Sequence, residues 1–299
     1  MKKAILFEPL TFEHISILRD YFSRSRTRLC DQSLGGAMMW RKSFETKVAL
    51  EDNILYFSSR LSDNLWAFTM PLGDEQKGLD RLAEHCSATG ERFLLTSVSE
   101  EEKERICARF LNASAQAKRD WFDYLYDAES LSAFRGRKLA GQRNHRNFFI
   151  RQNPEWRFEK IGASNLGMAR DFFDLYNRDV QKDSRFFEDE KAAVTEFFDH
   201  FDDYGFFGGM ILVQDGPVAI SFGERIGDTL FVHIEKALRQ VRGSYQMMVS
   251  EFVSNFADES IRFVNREEDL GDPGIRYSKE SYQPIRLLEK YQIEIPTEG

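Results

Sequence analysis

Residues 206–245 read FFGGMILVQDGPVAISFGERIGDTLFVHIEKALRQVRGSY, and the fold is decided there. Three apolar stretches, Phe206 to Gln214, Val218 to Ile226 and Thr229 to Lys236, are parted by Gly216-Pro217 and Gly227-Asp228. Turns that short join neighbouring antiparallel strands, so the stretch predicts a three-stranded meander. Gly243-Ser244 then opens a helix. Tyr245, Met248, Val249, Phe252, Val253 and Phe256 fall on one face of it, the spacing of a core-facing stripe.

Working outward, Arg157 to Ile161 reads as a strand, and Leu166, Ala169, Phe172, Phe173 and Tyr176 mark a helix. Lys191 to Phe201 is a second helix, with Ala192, Thr195, Phe198 and Phe201 or their neighbours inward, and Ile261 to Val264 is a further strand. The start of the chain repeats this opening. Ala4 to Phe7 is strand-like, and Thr11 caps a helix carrying Phe12, Ile15, Leu18, Tyr21 and Phe22. Phe7-Glu8 aligns with Phe158-Glu159, and Arg19-Asp20-Tyr21-Phe22 with Arg170-Asp171-Phe172-Phe173, both at an offset of 151 residues. That offset is half the chain, which predicts two tandem copies of one fold. The rest of the first half fits. Leu55 to Ser58 and Leu65 to Met70 read as antiparallel strands, Glu75 to Ser87 as a helix with Leu79, Leu82, Ala83 and Cys86 inward, and Arg92 to Ser97 as a strand. Ser99-Glu100-Glu101-Glu102 is a capping box, and Phe122 to Tyr126 is another strand.

Composition excludes several classes. The 41 Lys and Arg against 49 Asp and Glu give a net charge of −8, so affinity for nucleic acid or anionic membrane has to come from a local basic patch. Cys30, Cys86 and Cys107 are odd in number, far apart and outside any C-x-x-C pattern, which predicts neither a disulfide framework nor a metal site. Met1-Lys2-Lys3 is followed by an apolar run that stops at Glu8, too short for a signal peptide. No stretch has the length of a transmembrane helix, and the expected location is cytoplasmic.

Two stretches carry the chemistry. Residues 263–284, from Phe263 to Pro284, begin as a strand and change at once to Asn265, Arg266, Glu267, Glu268 and Asp269. A Gly271-Asp272-Pro273-Gly274 turn follows, then a short helix with Arg276, Lys279 and Tyr282. A polar cluster at the C-terminal end of a strand is where open α/β sheets place their ligands. The second stretch, Phe134 to Arg151, holds Arg135, Arg137, Lys138, Arg143, Arg146, Arg151 and His145 and no acid. Two readings of it stand: a solvated basic face, or an anion site at the junction of the repeats.

The order strand, helix, helix, meander, glycine-opened helix, strand, helix resembles the acyl-CoA N-acyltransferase (GNAT) fold. There, phosphates of the acyl carrier sit on backbone N–H groups at a Q/R-x-x-G-x-G/A turn, an anion at a helix N-terminus. Gln240-Val241-Arg242-Gly243-Ser244-Tyr245 keeps the Gln and the first Gly and replaces the last small residue by Tyr. Three stretches together resemble one bacterial family, the proteins with a phosphatidylglycerol lysyltransferase C-terminal-like domain. They are Arg137 to His145 with Phe148-Phe149, Phe231 to Ala237, and Asn265 to Gly271 continuing through Ser281-Tyr282-Gln283-Pro284. The resemblance covers essentially the whole chain. It implies an α/β (α+β) protein of two tandem GNAT-like domains with mixed, mostly antiparallel sheets, related to lysylphosphatidylglycerol synthases and Fem-type aminoacyltransferases. We divide the chain as domain 1–133, basic connecting helix 134–155 and domain 156–299.

Such relatives move an aminoacyl or acyl group from an activated donor, aminoacyl-tRNA or acyl-CoA, to an amine or hydroxyl of a small-molecule or lipid-like acceptor. The reaction needs positioning, N–H donors for the oxyanion and a base for the departing proton. Glu235, Glu267 and Asp269 are the candidate bases, which lie near one another if adjacent strands face one cleft, and Tyr282 is the candidate acid. Asn265, Arg276, Lys279 and His233 are expected to bind substrate. Arg143, Asn144, His145, Gln240, Gly243 and Ser244 are expected on the donor side, with the 135–151 stretch against a tRNA acceptor stem. The bland alternatives are a surface pair at Glu235-Lys236, a helix cap at Glu267 to Asp269 and a hydrogen-bonded structural histidine at 233. A non-catalytic ligand-binding protein that keeps the GNAT fold is the competing class.

Overall fold

The structure is a computed structural model and describes residues 4–25, 27–179, 185–214 and 216–296. Along the chain the strands are β1 (Glu8–Pro9), β2 (Lys47–Glu51), β3 (Ile54–Ser62), β4 (Leu65–Phe68), β5 (Phe93–Val98), β6 (Ser114–Ala117), β7 (Asp123–Asp127), β8 (Arg157–Ile161), β9 (Phe207–Val213), β10 (Gly216–Ile226), β11 (Thr229–Ala237), β12 (Phe263–Asn265), β13 (Arg286–Leu288) and β14 (Tyr291–Ile295). The α-helices are α1 (Ile15–Ser23), α2 (Leu34–Met39), α3 (Glu75–Thr89), α4 (Glu100–Arg109), α5 (Ala128–Ala133), α6 (Ala140–Gln152), α7 (Leu166–Asp179), α8 (Arg185–Asp199), α9 (Phe201–Tyr204), α10 (Ser244–Phe256) and α11 (Pro273–Ser281).

Among the described residues the strands form two seven-stranded sheets, ordered β1-β2-β3-β4-β5-β14-β6 and β13-β7-β12-β11-β10-β9-β8. Read from β1 and from β8, the two orders have the same pattern. In each sheet the fourth and fifth strands are the parallel pair, β4 with β5 and β11 with β12, as expected for two copies of a mixed, mostly antiparallel fold. The sixth position breaks chain order in both. β14, near the C-terminus, fills it in the first sheet, and β7, which precedes all other strands of its sheet, fills it in the second.

The compact units follow that exchange: residues 1–123 with 288–299, and residues 124–287. The divisions expected at 133 and 155 fall elsewhere for this reason, since β7, α5 and α6 belong to the second unit and β14 to the first. The first strand also starts later than Ala4 to Phe7, with ladder pairing only at Glu8 and Pro9.

In the first unit, Leu79, Leu82 and Cys86 of α3 pack on Tyr56, Phe68, Phe93 and Leu95 of the sheet. The Ser99 capping box is present, with Glu102 returning to the Ser99 N–H at 2.8 Å. In the second unit, α10 buries Met247, Met248, Val249, Phe252, Val253 and Phe256, the predicted stripe with Met247 in place of the half-buried Tyr245. Its partners include Ala219, Leu230, Val232 and Val264 from the sheet and Phe149 from α6. Elsewhere in the unit, Phe197 and Phe198 of α8 pack on Phe222, with ring centroids 4.9 and 5.6 Å apart. These rings build the core on that side of the sheet. No helix among the described residues is long and apolar enough to cross a membrane.

Candidate functional site

The meander has one irregularity, and it shapes the site. Across β10 and β11, Phe222 pairs with Ile234 and Gly223 with Val232, leaving His233 as an extra residue on β11. Such a bulge shifts the alternation of side chains by one. Gly223 permits the close approach, since a Cβ there would lie 2.0 Å from the Phe231 carbonyl oxygen. Val232 therefore packs with α10, and after the bulge Glu235 lies beside the rings of Tyr126 and Tyr282, which belong to that same core. Lys236 goes the other way, to Glu190 at 2.7 Å, so Glu235 and Lys236 are no surface pair.

β11 and β12 pair only from Thr229 to Phe231 with Phe263 to Asn265, and then part. Beyond the last pair the chain turns sharply. Glu267 has φ +56°, held by a hydrogen bond from its own N–H to the Asn265 side chain at 2.6 Å. Arg266 and Glu267 consequently leave in different directions. Arg266 donates through Nη2 to Glu235 at 2.6 Å, and Glu267 accepts from His233 Nδ1 at 2.7 Å. The carboxylates expected in one cleft are thus kept apart, each on its own cation.

His233 is enclosed. Its side chain is 1% exposed, Nε2 meets Glu224 at 3.0 Å, and the rings of Phe206 and Phe231 stack on it. Burial acts to lower its pKa, but hydrogen bonds and charge from Glu224 and Glu267 outweigh that and push it up to about 9. Its charged form is the one that these two neighbours favour.

The loop after Glu267 is clamped by α11. Asp272 caps that helix through the N–H groups of Gly274 and Ile275. One face then returns Arg276 to Asp269 in a two-point fork at 2.8 and 2.9 Å, and Lys279 Nζ to the carbonyls of Arg266 and Glu268. Asp269 is fully buried and also accepts from Tyr124 Oη at 2.6 Å and the Gly271 N–H at 2.9 Å. Burial opposes its ionisation, yet the Arg276 fork and these donors hold it well below the usual carboxylate range. Asp269, expected as a base, is thus engaged by Arg276, Tyr124 and Gly271, and Arg276 and Lys279 hold the loop from inside. Tyr282 follows α11, buried, with the Arg266 guanidinium 4.5 Å from its ring centroid. Burial chiefly, against the lowering effect of Arg266, keeps its phenol protonated.

The donor-side residues are placed differently from expectation. Arg143 turns inward, donating to the carbonyls of Phe134 at 2.5 Å and Gly136 at 3.1 Å at the end of α5. Arg146 reaches Ser250 at 3.0 Å, and Arg135 pairs with Glu129. The acid-free run hides these partners because most are main-chain oxygens. Asn144 and Gln240 are exposed. Gly243 has φ +89°, and a Cβ on it would lie 2.4 Å from the His145 carbonyl oxygen. α6 therefore packs against the turn into α10 at Gly243. Ser244 is buried and donates to the Leu238 carbonyl at 2.9 Å.

The sequence reading did not single out Glu224, which holds His233, or the pairing of Arg266 with Glu235. Arg266 stood in the quoted motif, and its position immediately after the last paired residue was the available signal. Cys30, Asp31 and Asp123 of the first unit come together with the donor types of a metal site, but Lys290 Nζ lies among them, 2.5 Å from Asp31, 2.8 Å from Asp123 and 3.2 Å from Cys30 Sγ.

Two seven-stranded mixed sheets of matching order, each with its parallel pair at the fourth and fifth strands, make up a tandem GNAT-like fold. The model of the family described as phosphatidylglycerol lysyltransferase, C-terminal, matches residues 22–294, and the chain belongs to that family. A crystal structure of a conserved protein of unknown function from Bacteroides thetaiotaomicron is similar over 98% of this chain and 100% of its own, at 29% identity and TM-score 0.88. The L-PGS of Bacillus licheniformis shares the fold at 13% identity and TM-score 0.68, over 98% of this chain and 94% of that one. An uncharacterized protein of Mycoplasmoides gallisepticum is 24% identical over 174 residues, 58% of this chain and a little over half, 56%, of that protein. Family and fold are of the aminoacyl- or acyl-transferring kind.

Proposed function

We propose that the chain transfers an aminoacyl group from an ester donor, aminoacyl-tRNA, to an amine or hydroxyl acceptor at the parting of β11 and β12. The observation that carries this reading is Glu235 and Arg266 facing each other just beyond the last β11–β12 pair, in a chain of a lysyltransferase family. An acyl-CoA donor is disfavoured by the packing of Gly243 on His145, which leaves the carrier-phosphate turn covered.

The steps use groups of the second unit. The acceptor attacks the ester carbonyl carbon, Glu235 takes the acceptor's proton, and the ester C–O bond breaks with a proton passing to the tRNA oxygen. Tyr282, protonated at neutral pH, is a second proton source for that oxygen. The main chain at His233 favours the same place: the residue is part-exposed while its side chain is enclosed, so the exposure is at the backbone of the bulge. Arg137, Lys138 and Arg151 are the exposed cations of the 135–151 stretch left to meet tRNA phosphates.

The test is transfer of radiolabelled amino acid from bulk charged tRNA to phosphatidylglycerol vesicles, amino acids and peptides in parallel. Activity in one arm, reduced about a hundredfold or more by Glu235→Gln, is the expected result. No transfer in any arm, with binding of charged tRNA intact, would favour the non-catalytic binder.

A further inference from the structure

Arg266 is incompletely partnered. The residue is 8% exposed, its Nη2 is held by Glu235, and its guanidinium lies over the rings of Tyr282 and Tyr126, 4.5 and 5.6 Å from their centroids. Nη1 is buried and has no hydrogen-bond partner. Ser221 on β10 is wholly buried, and its Oγ likewise has none. The two atoms belong to one neighbourhood. Ser221 is the ladder partner of Glu235, and paired residues share a face of the sheet. Glu235 thus has an unmet hydroxyl beside its backbone and an unmet guanidinium N–H beyond its carboxylate. Buried donors without partners are rare in folded proteins and call for an occupant.

The chemistry of that occupant is narrow. Nη1 only donates, so the missing group presents an acceptor oxygen. The Tyr282 and Tyr126 rings lie against the guanidinium, and Tyr282 also hydrogen-bonds it, so the group to be added is small. Glu235 already neutralises Arg266, so a second carboxylate would leave a buried net negative charge, whereas a neutral carbonyl would not.

We propose that Arg266 Nη1 and Ser221 Oγ hold the carbonyl oxygen of a neutral ester or amide, which under the transferase reading, on which this identity rests, is the aminoacyl carbonyl being transferred. Arg266 is then a catalytic residue. As the acceptor's lone pair forms the new bond, the carbonyl π pair moves onto that oxygen, and Nη1 faces the resulting charge. The pair returns to re-form C=O as the old ester C–O bond breaks, so ester and acceptor become new ester or amide and free alcohol.

The experiment is a titration of protein labelled with 15N-arginine, using L-alanine and L-lysine methyl esters and the corresponding free amino acids. The buried guanidinium signals absent from Arg266→Lys are expected to shift with the esters and not with the free acids. Ester affinity should fall about tenfold in Arg266→Lys and about threefold in Ser221→Ala, the latter removing one oxygen and leaving the ion pair intact. A shift with the free acids alone, or equal ester affinity in all three proteins, overturns the carbonyl site. The transferase reading fails separately. An ester-dependent shift with no transfer from charged tRNA sinks the transferase and keeps the site, while full transfer by Arg266→Lys sinks the site and keeps the transferase.

Discussion

His233 Nδ1 lies 2.7 Å from the Glu267 carboxylate, and the imidazole side chain is 1% exposed. A His pKa raised from 6.5 to about 9 contributes stability that is complete below about 6.5 and is lost as pH rises through 9. The loss across that window is at most about 3 kcal/mol. Urea midpoints taken from pH 6 to 10 should fall on the alkaline side, and His233→Gln should flatten the curve. A curve that is as steep in the variant would assign the alkaline loss to other groups.

Gly243→Ala should destabilise the protein by about 2–4 kcal/mol, because the left-handed backbone and the His145 carbonyl both oppose a methyl there. A lowered denaturation midpoint with unchanged m-value is the expected readout. If the alanine protein melts like the wild type, α6 does not cover this turn in solution, and the acyl-CoA donor returns to consideration.

Asp269→Asn should cost about 3 kcal/mol, since it leaves the Arg276 fork and Tyr124 facing a group that cannot match both. The sign with pH is opposite to that of His233. A depressed carboxylate pKa gives stability present above about pH 4 and lost as pH falls towards the folded-state value. Acid unfolding should therefore begin at higher pH in the asparagine protein, followed by tryptophan fluorescence.

A fragment of residues 124–287 should fold alone, whereas residues 1–133 should not, because β5 and β6 both pair with β14. Circular dichroism melts of the two fragments check this. A cooperative transition in 1–133 would place the domain boundary where the internal repeat suggests it.

Much of this architecture was legible in the sequence. The meander and the α10 stripe are local periodicities of two and 3.6 residues, and the 151-residue offset marks the tandem copies. What was not legible depends on a single inserted residue or on distant pairing. One extra residue at His233 reverses which side chains of β11 face α10, and its only trace is Gly223 on the neighbouring strand. The expectation that Glu235 and Glu267 share one cleft had no way to count that residue. The inward turn of Arg143 was hidden because its acceptors are carbonyls, which no residue letter records. The motif around Asn265 leads to the candidate site, where Arg266 rather than the acids beside it meets Glu235.

The strand that completes the first sheet is made long after its neighbours. A ribosome translating this chain releases the first unit's α3, α4 and β5 well before Tyr291–Ile295 exists, so the gap between β5 and β6 stays open while the whole second unit is made. A frameshift or premature stop a few codons before β14 would spare every residue of the candidate site and yet leave the first sheet unfinished. Quality control acting on such a product would meet its exposed strand edges near the N-terminus, far in sequence from the lesion.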